Sequence, residues 1–478
     1  MFMSMIFPVF LGAAVTLFFA LPKKWRPGVL LAVSYLFCGW VDIWALPVLV
    51  GVSFLTWIGG KKIRALQGQG RMGAAKTYEV AVAGSFLLLL CGYKYGPYLA
   101  MRLGANGDGA WKIAEGLVMP VGLSFYVFQA VGYLVDIYRG KSKGEENFIC
   151  LSCYLAFFPK LVSGPIERQQ DFLPQLRALG KVKFWDRGRL STAFAYMLWG
   201  YFMKAVVADR LAVTVDQIFA YPELFDSFWL VLGAFLYTMQ IYCDFAGYSY
   251  IAIGCGRIFG ISLTQNFKAP YCAGSITDFW RRWHISLSAW LRDYLYIPLG
   301  GNRKGLARKC ANTMLVFLVC GMWHGAGVNF IAWGLLHGLY SVAESWGRGR
   351  GWKQKGGGVF TFLAVAFAWI FFRAESFRGA LVYVGEMFTA GIHPGGWKQA
   401  AELLHLNGVE ISVMAMSVAI VWLVDILCNR RHLNLPVLIQ KKENAARYLV
   451  FYLLFLAIFI FGIYGPGYQA GQFIYMHF

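Results

Sequence analysis

Long apolar runs separated by short basic stretches set the plan of this chain. Residues 3–21 form the first run. No positive charge precedes it, and Lys23, Lys24 and Arg26 follow it. A cleavable signal has the opposite arrangement, so the pattern predicts a retained helix with its N-terminus outside. Residues 28–59 are too long for one span and are interrupted by Asp42 and Pro47. With the basic loop Lys61–Lys76 after them, they predict a short hairpin. Residues 79–100 then cross outward to a loop of glycine and asparagine, and 113–138 return, ending at Arg139, Lys141 and Lys143. The segment 149–165 carries Pro159, Lys160 and Gly164-Pro165. That is poor material for a straight span and suits a re-entrant element lined by protein.

The second half repeats the theme. Glu167–Arg189 is a basic, cytosolic loop, followed by two long helices over 191–220 and 227–256. Residues 257–309 are strongly basic and belong at the cytosolic surface or the interface. The apolar run 311–346 has positive charge on both sides and, at about 1.5 Å per residue, is long enough for two short spans. A hairpin breaking near His324–Gly327 is expected there. Residues 358–373, an amphipathic outer stretch 376–405, 409–428, a basic loop 429–442 and 446–464 complete the chain. The whole reads as one all-α, polytopic membrane domain with roughly ten to twelve crossings. Within it, 1–260 are N-terminal helices, 261–346 a catalytic core, and 347–478 C-terminal helices with an extracytoplasmic tail.

Composition supports the membrane reading. Of 478 residues 58% are hydrophobic and only 14% charged, against about 25% charged in soluble domains. The net charge of +20 does not point to nucleic acid, because the basic residues cluster in short loops and fix topology. They also suit anionic lipid or an anionic cytosolic ligand. Ten cysteines are scattered through apolar segments. Cys150 and Cys153 form a CxxC without the second pair that zinc needs, and without the strand–helix setting of a redox motif. No metal site and no disulfide framework are read from this pattern.

The chemistry concentrates between Asp278 and His337, where three of the seven histidines lie. Ionisable groups are expensive inside a membrane and are read first as functional. Taken as one helix at about 100° per residue, Asp278–Tyr294 places Arg281, His284, Ser288 and Arg292 on a polar stripe. Phe279, Trp283, Leu287, Trp290, Leu291 and Tyr294 fall opposite. That describes a helix lying in the interface, and equally a simple anchor. His324 lies in a run, Thr313–Trp346, without Lys, Arg or Asp, and is surrounded by Gly321, Gly325 and Gly327. Glycines allow close approach and can break a membrane helix where it lines a cavity. A neutral buried imidazole suits a general base, or a core histidine bonded to a carbonyl. On a continuous helix His337 would face away from His324. Asp244 is an intramembrane carboxylate, for which a helix-packing hydrogen bond is the plainer role.

Two segments, Asp278–Arg303 and Met322–His337, resemble the membrane-bound O-acyltransferases, in particular their alginate O-acetylation branch. Phe157-Phe158-Pro159-Lys160-Leu161-Val162-Ser163-Gly164-Pro165-Ile166 and Asp244-Phe245-Ala246-Gly247-Tyr248-Ser249 extend the resemblance over nearly the whole chain. It implies a helical bundle with re-entrant and interfacial helices in the bacterial cytoplasmic membrane. The family's invariant histidine corresponds to His324, and its second conserved polar position, about forty residues upstream, to His284. His324 is then the general base and His284 orients the acyl group or stabilises charge. Arg281, Arg282, Ser288 and Arg292 would meet a phosphorylated donor. The resemblance further implies acetyl-CoA as donor substrate, no permanently bound cofactor, and an extracytoplasmic polysaccharide as final acceptor. An extracytoplasmic SGNH-type acetyltransferase is the expected partner, since no soluble catalytic domain is fused to this sequence. D-alanyl transfer to teichoic acid is the near alternative, and a transporter without chemistry the distant one. The ending Phe473-Ile474-Tyr475-Met476-His477-Phe478 is similar to the Phe-x-Tyr-x-x-Phe ending of a small D-alanylation partner and of this branch's members. It marks Tyr475 as a candidate acyl carrier, or else as an interfacial belt residue.

Overall fold

The computed structural model describes residues 2–4, 6–102, 116–349, 357–393 and 396–463. The described residues form helices and no strands. Among the described residues six helices are long and apolar enough to cross a membrane, and three more apolar helices are shorter. The chain divides into two compact units, residues 1–197 with 251–265 and residues 198–250 with 266–478.

The first unit begins with α1 (Ile6–Ala20), α2 (Arg26–Val41), α3 (Ala45–Gly68) and α4 (Met72–Arg102). The expected break at Asp42 occurs: its carboxylate accepts from the amides of Trp44 and Ala45 and opens α3. Then come α5 (Leu123–Tyr138), α6 (Phe148–Ala156), α7 (Phe158–Leu161) and α8 (Gln169–Arg177). The segment read as unfit for a straight span is divided at Phe157 between α6 and α7, and Cys150–Glu167 are buried throughout. Lys160 lies wholly inside, where its ammonium donates to the Gln129 side chain and to the Tyr154 carbonyl. Burial of a cation is tolerable only with such partners.

The second unit takes the end of α9 (Arg187–Tyr201), a π-helical stretch (Phe202–Ala208), α10 (Asp209–Ala220) and most of α11 (Ser227–Ile258). Asp244 on α11 receives Lys204 at 2.5 Å, and Asp209 receives the same ammonium at 2.8 Å. Asp244 therefore closes a buried ionic triad. After α12 (Ile276–Arg282) and α13 (Ile285–Leu291) come α14 (Gly305–His324) and α15 (Val328–Gly349). The unit ends with α16 (Gly357–Arg373), α17 (Phe377–Thr389), α18 (Gly396–Leu403), α19 (Gly408–Arg431), α20 (Leu435–Gln440) and α21 (Asn444–Phe461).

The helix expected over Asp278–Tyr294 is not continuous. It stops at Arg282, resumes at Ile285 and widens to a π-helical turn over Arg292–Tyr296. The hairpin expected at His324–Gly327 is present, and glycine makes it. A methyl group on Gly321 would overlap the Phe330 carbonyl, and one on Gly334 would overlap the Phe317 carbonyl and approach Gly321 Cα at 3.2 Å. Helices in lipid associate through such close packing of small residues.

Gly321→Ala is expected to cost on the order of 1–3 kcal/mol, as overpacking does, because rigid backbone and not a side-chain tip stands in the way. Gly92→Ala, on α4 with open space at its Cβ position, is the control. Thermal unfolding in detergent checks this: a lowered midpoint for Gly321→Ala beside an unchanged or raised one for Gly92→Ala is the expected result. Equal midpoints would show that the α14–α15 contact yields freely.

Candidate functional site

His324 is the last residue of α14. Gly325 leaves the helix in an extended conformation, and α15 starts three residues later at Val328. The turn is pinned by Asn329, whose amide nitrogen donates to the carbonyls of Phe371 (3.3 Å) and Ala374 (2.9 Å) at the end of α16. Substituents at Gly325 would overlap the Phe330 ring. The result is an imidazole only 2% exposed. It meets Trp323, Trp333 and Phe372 edge to face at 4.8, 5.0 and 5.2 Å between ring centres. Carbon walls of this kind exclude water.

His284 reaches the same neighbourhood by a different device. Ser275 caps α12, its hydroxyl accepting from the Asp278 amide. Trp283 is extended, and His284 adopts φ 42° and ψ 54°. A left-handed conformation at a non-glycine residue costs of order 1–3 kcal/mol and persists only where its surroundings impose it. Asn266 imposes it here. Its carbonyl accepts from the Ile285 amide at 3.0 Å and its side-chain oxygen from the Ser286 amide at 3.1 Å. Lys268 also donates its amide to the Arg282 carbonyl. His284 is completely buried, against Phe245 (4.8 Å) and Trp323 (6.1 Å). Burial pushes its imidazole down to about 3, so it is neutral at physiological pH. The polar stripe expected from helical periodicity is corrected accordingly: the kink turns His284 inward, away from the face that carries Arg281, Ser288 and Arg292. His284 and His324 both abut Trp323.

Arg281, Ser288 and Arg292 line a cavity of about 590 Å³ between α12–α13, α14 and α15. Lys309 and Arg348 line it too, and its apolar wall includes Leu291, Phe317 and Cys320. Cys320 stands one helical turn before His324. Arg292 pairs with Asp293 at 2.7 Å and Arg348 with Glu344 at 2.7 Å. Among the described residues Arg281 and Lys309 have no ion-pair partner, which leaves positive charge for an anion. Arg282 does not join them. Its guanidinium donates to the Asn429 side chain at 2.6 Å and pairs with Asp278 at 3.0 Å.

His337 is not turned away from this region, because the chain breaks between it and His324. It is wholly buried and accepts a hydrogen bond at Nδ1 from the Trp280 indole at 3.3 Å. Asn266, Lys309 and Arg348 carried no signal in the sequence: each is an ordinary polar residue until the fold places it. The remaining described histidines, His393, His405 and His432, are exposed. Tyr475 lies outside the described residues. The arrangement offers a basic cavity for an anionic ligand and, one helical turn beyond its Cys320 wall, a buried imidazole.

Comparison with known proteins identifies the family. The family model described as membrane-bound O-acyltransferase matches residues 143–346. The chain is 36% identical over 434 residues to a probable alginate O-acetylase of Pseudomonas putida, covering 87% of this chain and 84% of that one. It is 32% identical over 396 residues to a peptidoglycan O-acetyltransferase of Helicobacter pylori, covering 75% and 72%. With a teichoic acid D-alanyltransferase of Bacillus subtilis it shares 29% identity over 284 residues, 55% of this chain and 70% of the other. The chain is a multi-pass membrane enzyme and belongs to the membrane-bound O-acyltransferase family.

Proposed function

We propose that this enzyme moves an acetyl group from acetyl-CoA, bound on the cytosolic side of a bacterial cytoplasmic membrane, for O-acetylation of an extracytoplasmic polysaccharide. The observation that carries the reading is the basic-mouthed cavity whose apolar wall ends at Cys320, one turn from His324. The relatives from Pseudomonas putida and Helicobacter pylori named for O-acetyl transfer match 87% and 75% of the chain, and the Bacillus subtilis relative named for D-alanyl transfer 55%. That difference favours acetyl over D-alanyl.

In this reading the donor's phosphates rest among Arg281, Arg292 and the hydroxyl of Ser288, where charge-assisted hydrogen bonds are strongest. The thioester end lies along the apolar wall. His324 takes the proton from the acceptor hydroxyl as that oxygen attacks the acyl carbon. Charge then develops on the carbonyl oxygen. His284, neutral, donates a hydrogen bond to it or holds the acyl group, as an electrostatic stabiliser does. The thiolate of CoA leaves and takes up a proton. Exclusion of water by Trp323, Trp333 and Phe372 keeps the thioester from hydrolysis. An extracytoplasmic SGNH-type acetyltransferase completes the delivery. Tyr475 is the proposed carrier between the two, because a phenol of pKa about 10 leaves more readily than a sugar alkoxide.

Acetyl-CoA supplied to purified protein, with CoA release followed, tests the reaction. His324→Ala is expected to abolish release while the protein stays folded in the membrane. His284→Ala should lower the rate by roughly 10²- to 10³-fold, the range of a lost transition-state donor. Wild-type rates in either folded variant would remove that residue from the mechanism. Replacing Arg281 and Arg292 together by alanine should weaken donor affinity, with a defect that grows with salt. Arg282→Ala, facing Asn429, should leave donor affinity near wild type, and the reverse order would place the phosphates elsewhere. Tyr475→Phe keeps an aromatic belt residue and removes the nucleophile. Loss of glycan acetylation in cells is the expected outcome, and normal acetylation would end the carrier idea.

A further inference from the structure

His337 has no part in the reaction described above, yet it touches both halves of the machinery. Its Nδ1 accepts the indole N–H of Trp280 at 3.3 Å. A nitrogen that accepts carries the lone pair, so the proton of the neutral ring sits on Nε2. Trp280 is a wall of the basic cavity, and its ring stands at 5.1 Å from Phe317, another wall. On another face, His337 meets Trp333 at 5.1 Å between ring centres, and Trp333 meets His324 at 5.0 Å. Trp280 and Trp333 also touch each other at 5.8 Å. Phe279, Phe317, Tyr340 and Trp369 close the remaining sides, and no charged side chain is among these ring neighbours.

An indole held only by dispersion can slide in its plane, because such contacts have little direction. One hydrogen bond to a fixed acceptor removes that freedom. His337 is itself fixed by burial on every side. We propose that His337 is a positioning residue, which sets the Trp280 wall of the donor cavity through its Nδ1 and braces Trp333 beside His324. The inference rests on the donor occupying that cavity. A bland core position would need only ring volume, and phenylalanine would serve it. The role proposed needs an acceptor at Nδ1, which phenylalanine lacks and the side-chain oxygen of asparagine can supply.

The test uses the purified full-length enzyme with acetyl-CoA, and CoA release measured across donor concentration and pH. His337→Phe should raise KM for acetyl-CoA by roughly 2- to 10-fold, the span that one neutral hydrogen bond supports, with a smaller fall in kcat. His337→Asn should bring KM back to within about twofold of wild type, on the same footing. Trp280→Phe should raise KM as His337→Phe does, and the double variant no further than either alone, since both remove one interaction. The pH profile of His337→Asn should match wild type, because a group that only accepts a hydrogen bond does not titrate in the cycle. Unchanged KM in His337→Phe, independent effects that multiply in the double variant, or a displaced pH limb would each overturn the proposal. Should His337→Phe fail to fold, Trp280→Phe is compared with Trp280→Phe/His337→Asn: equal KM supports the coupling and a further rise overturns it. A wild-type enzyme that releases no CoA overturns the donor reading, and this inference with it. A wild type that works beside an indifferent His337→Phe overturns this inference alone.

Discussion

Backbone touching backbone at Gly321 and Gly334 is the contact on which the catalytic region depends. Lipid tails are as apolar as the helices they surround, so apolar side chains gain little by leaving lipid for one another. What binds α14 to α15 is the density of packing that small residues permit, and Gly338 extends the seam where a side chain would strike Met314. Because the two helices lie so close, the chain can reverse within Gly325–Gly327. That reversal ends a helix at His324 and returns Trp333 to its side. A bulkier seam would widen the turn and part the imidazole from the ring it leans on.

The second histidine is placed at an energetic cost. His284 holds a left-handed conformation that Asn266 enforces through backbone and side chain together. The strain turns the ring under Trp323, into surroundings where the charged form is heavily disfavoured. Two histidines, one at the end of a helix and one at a break between helices, thus share a tryptophan. Both are held by contacts within the chain itself, and preorganised groups need no rearrangement at the moment of reaction.

How much of this could be read beforehand follows from what periodicity encodes. Apolar runs, Asp42, the Pro159–Pro165 segment and the glycines around His324 announced the helices and most of their breaks. The break at Trp283-His284 was silent, because histidine with positive φ has no composition signal and the flanking residues fit a helix equally well. Arg281 and Arg282 are adjacent in sequence and about 100° apart on a helix, so only the helix's orientation decides which one meets the cavity. Lys309 and Arg348 come from two other helices, and no spacing rule links them to Arg281. His337 was judged against a continuous helix that does not exist.

The triad of Lys204, Asp209 and Asp244 bears on how the protein is made. Each of these side chains alone at the middle of a bilayer helix is disfavoured by about 2.5–3.5 kcal/mol during insertion. Together they satisfy one another at 2.5 and 2.8 Å. Lys204 and Asp209 precede Asp244 by a loop and most of a helix, so the earlier segment is synthesised while its partner is still inside the ribosome. It already carries a pair of its own, Lys204 with Asp209 at 2.8 Å. Asp244 brings the second carboxylate, so one cation stands between two anions, and burial of Asp244 on α11 depends on the ammonium that the earlier segment supplies.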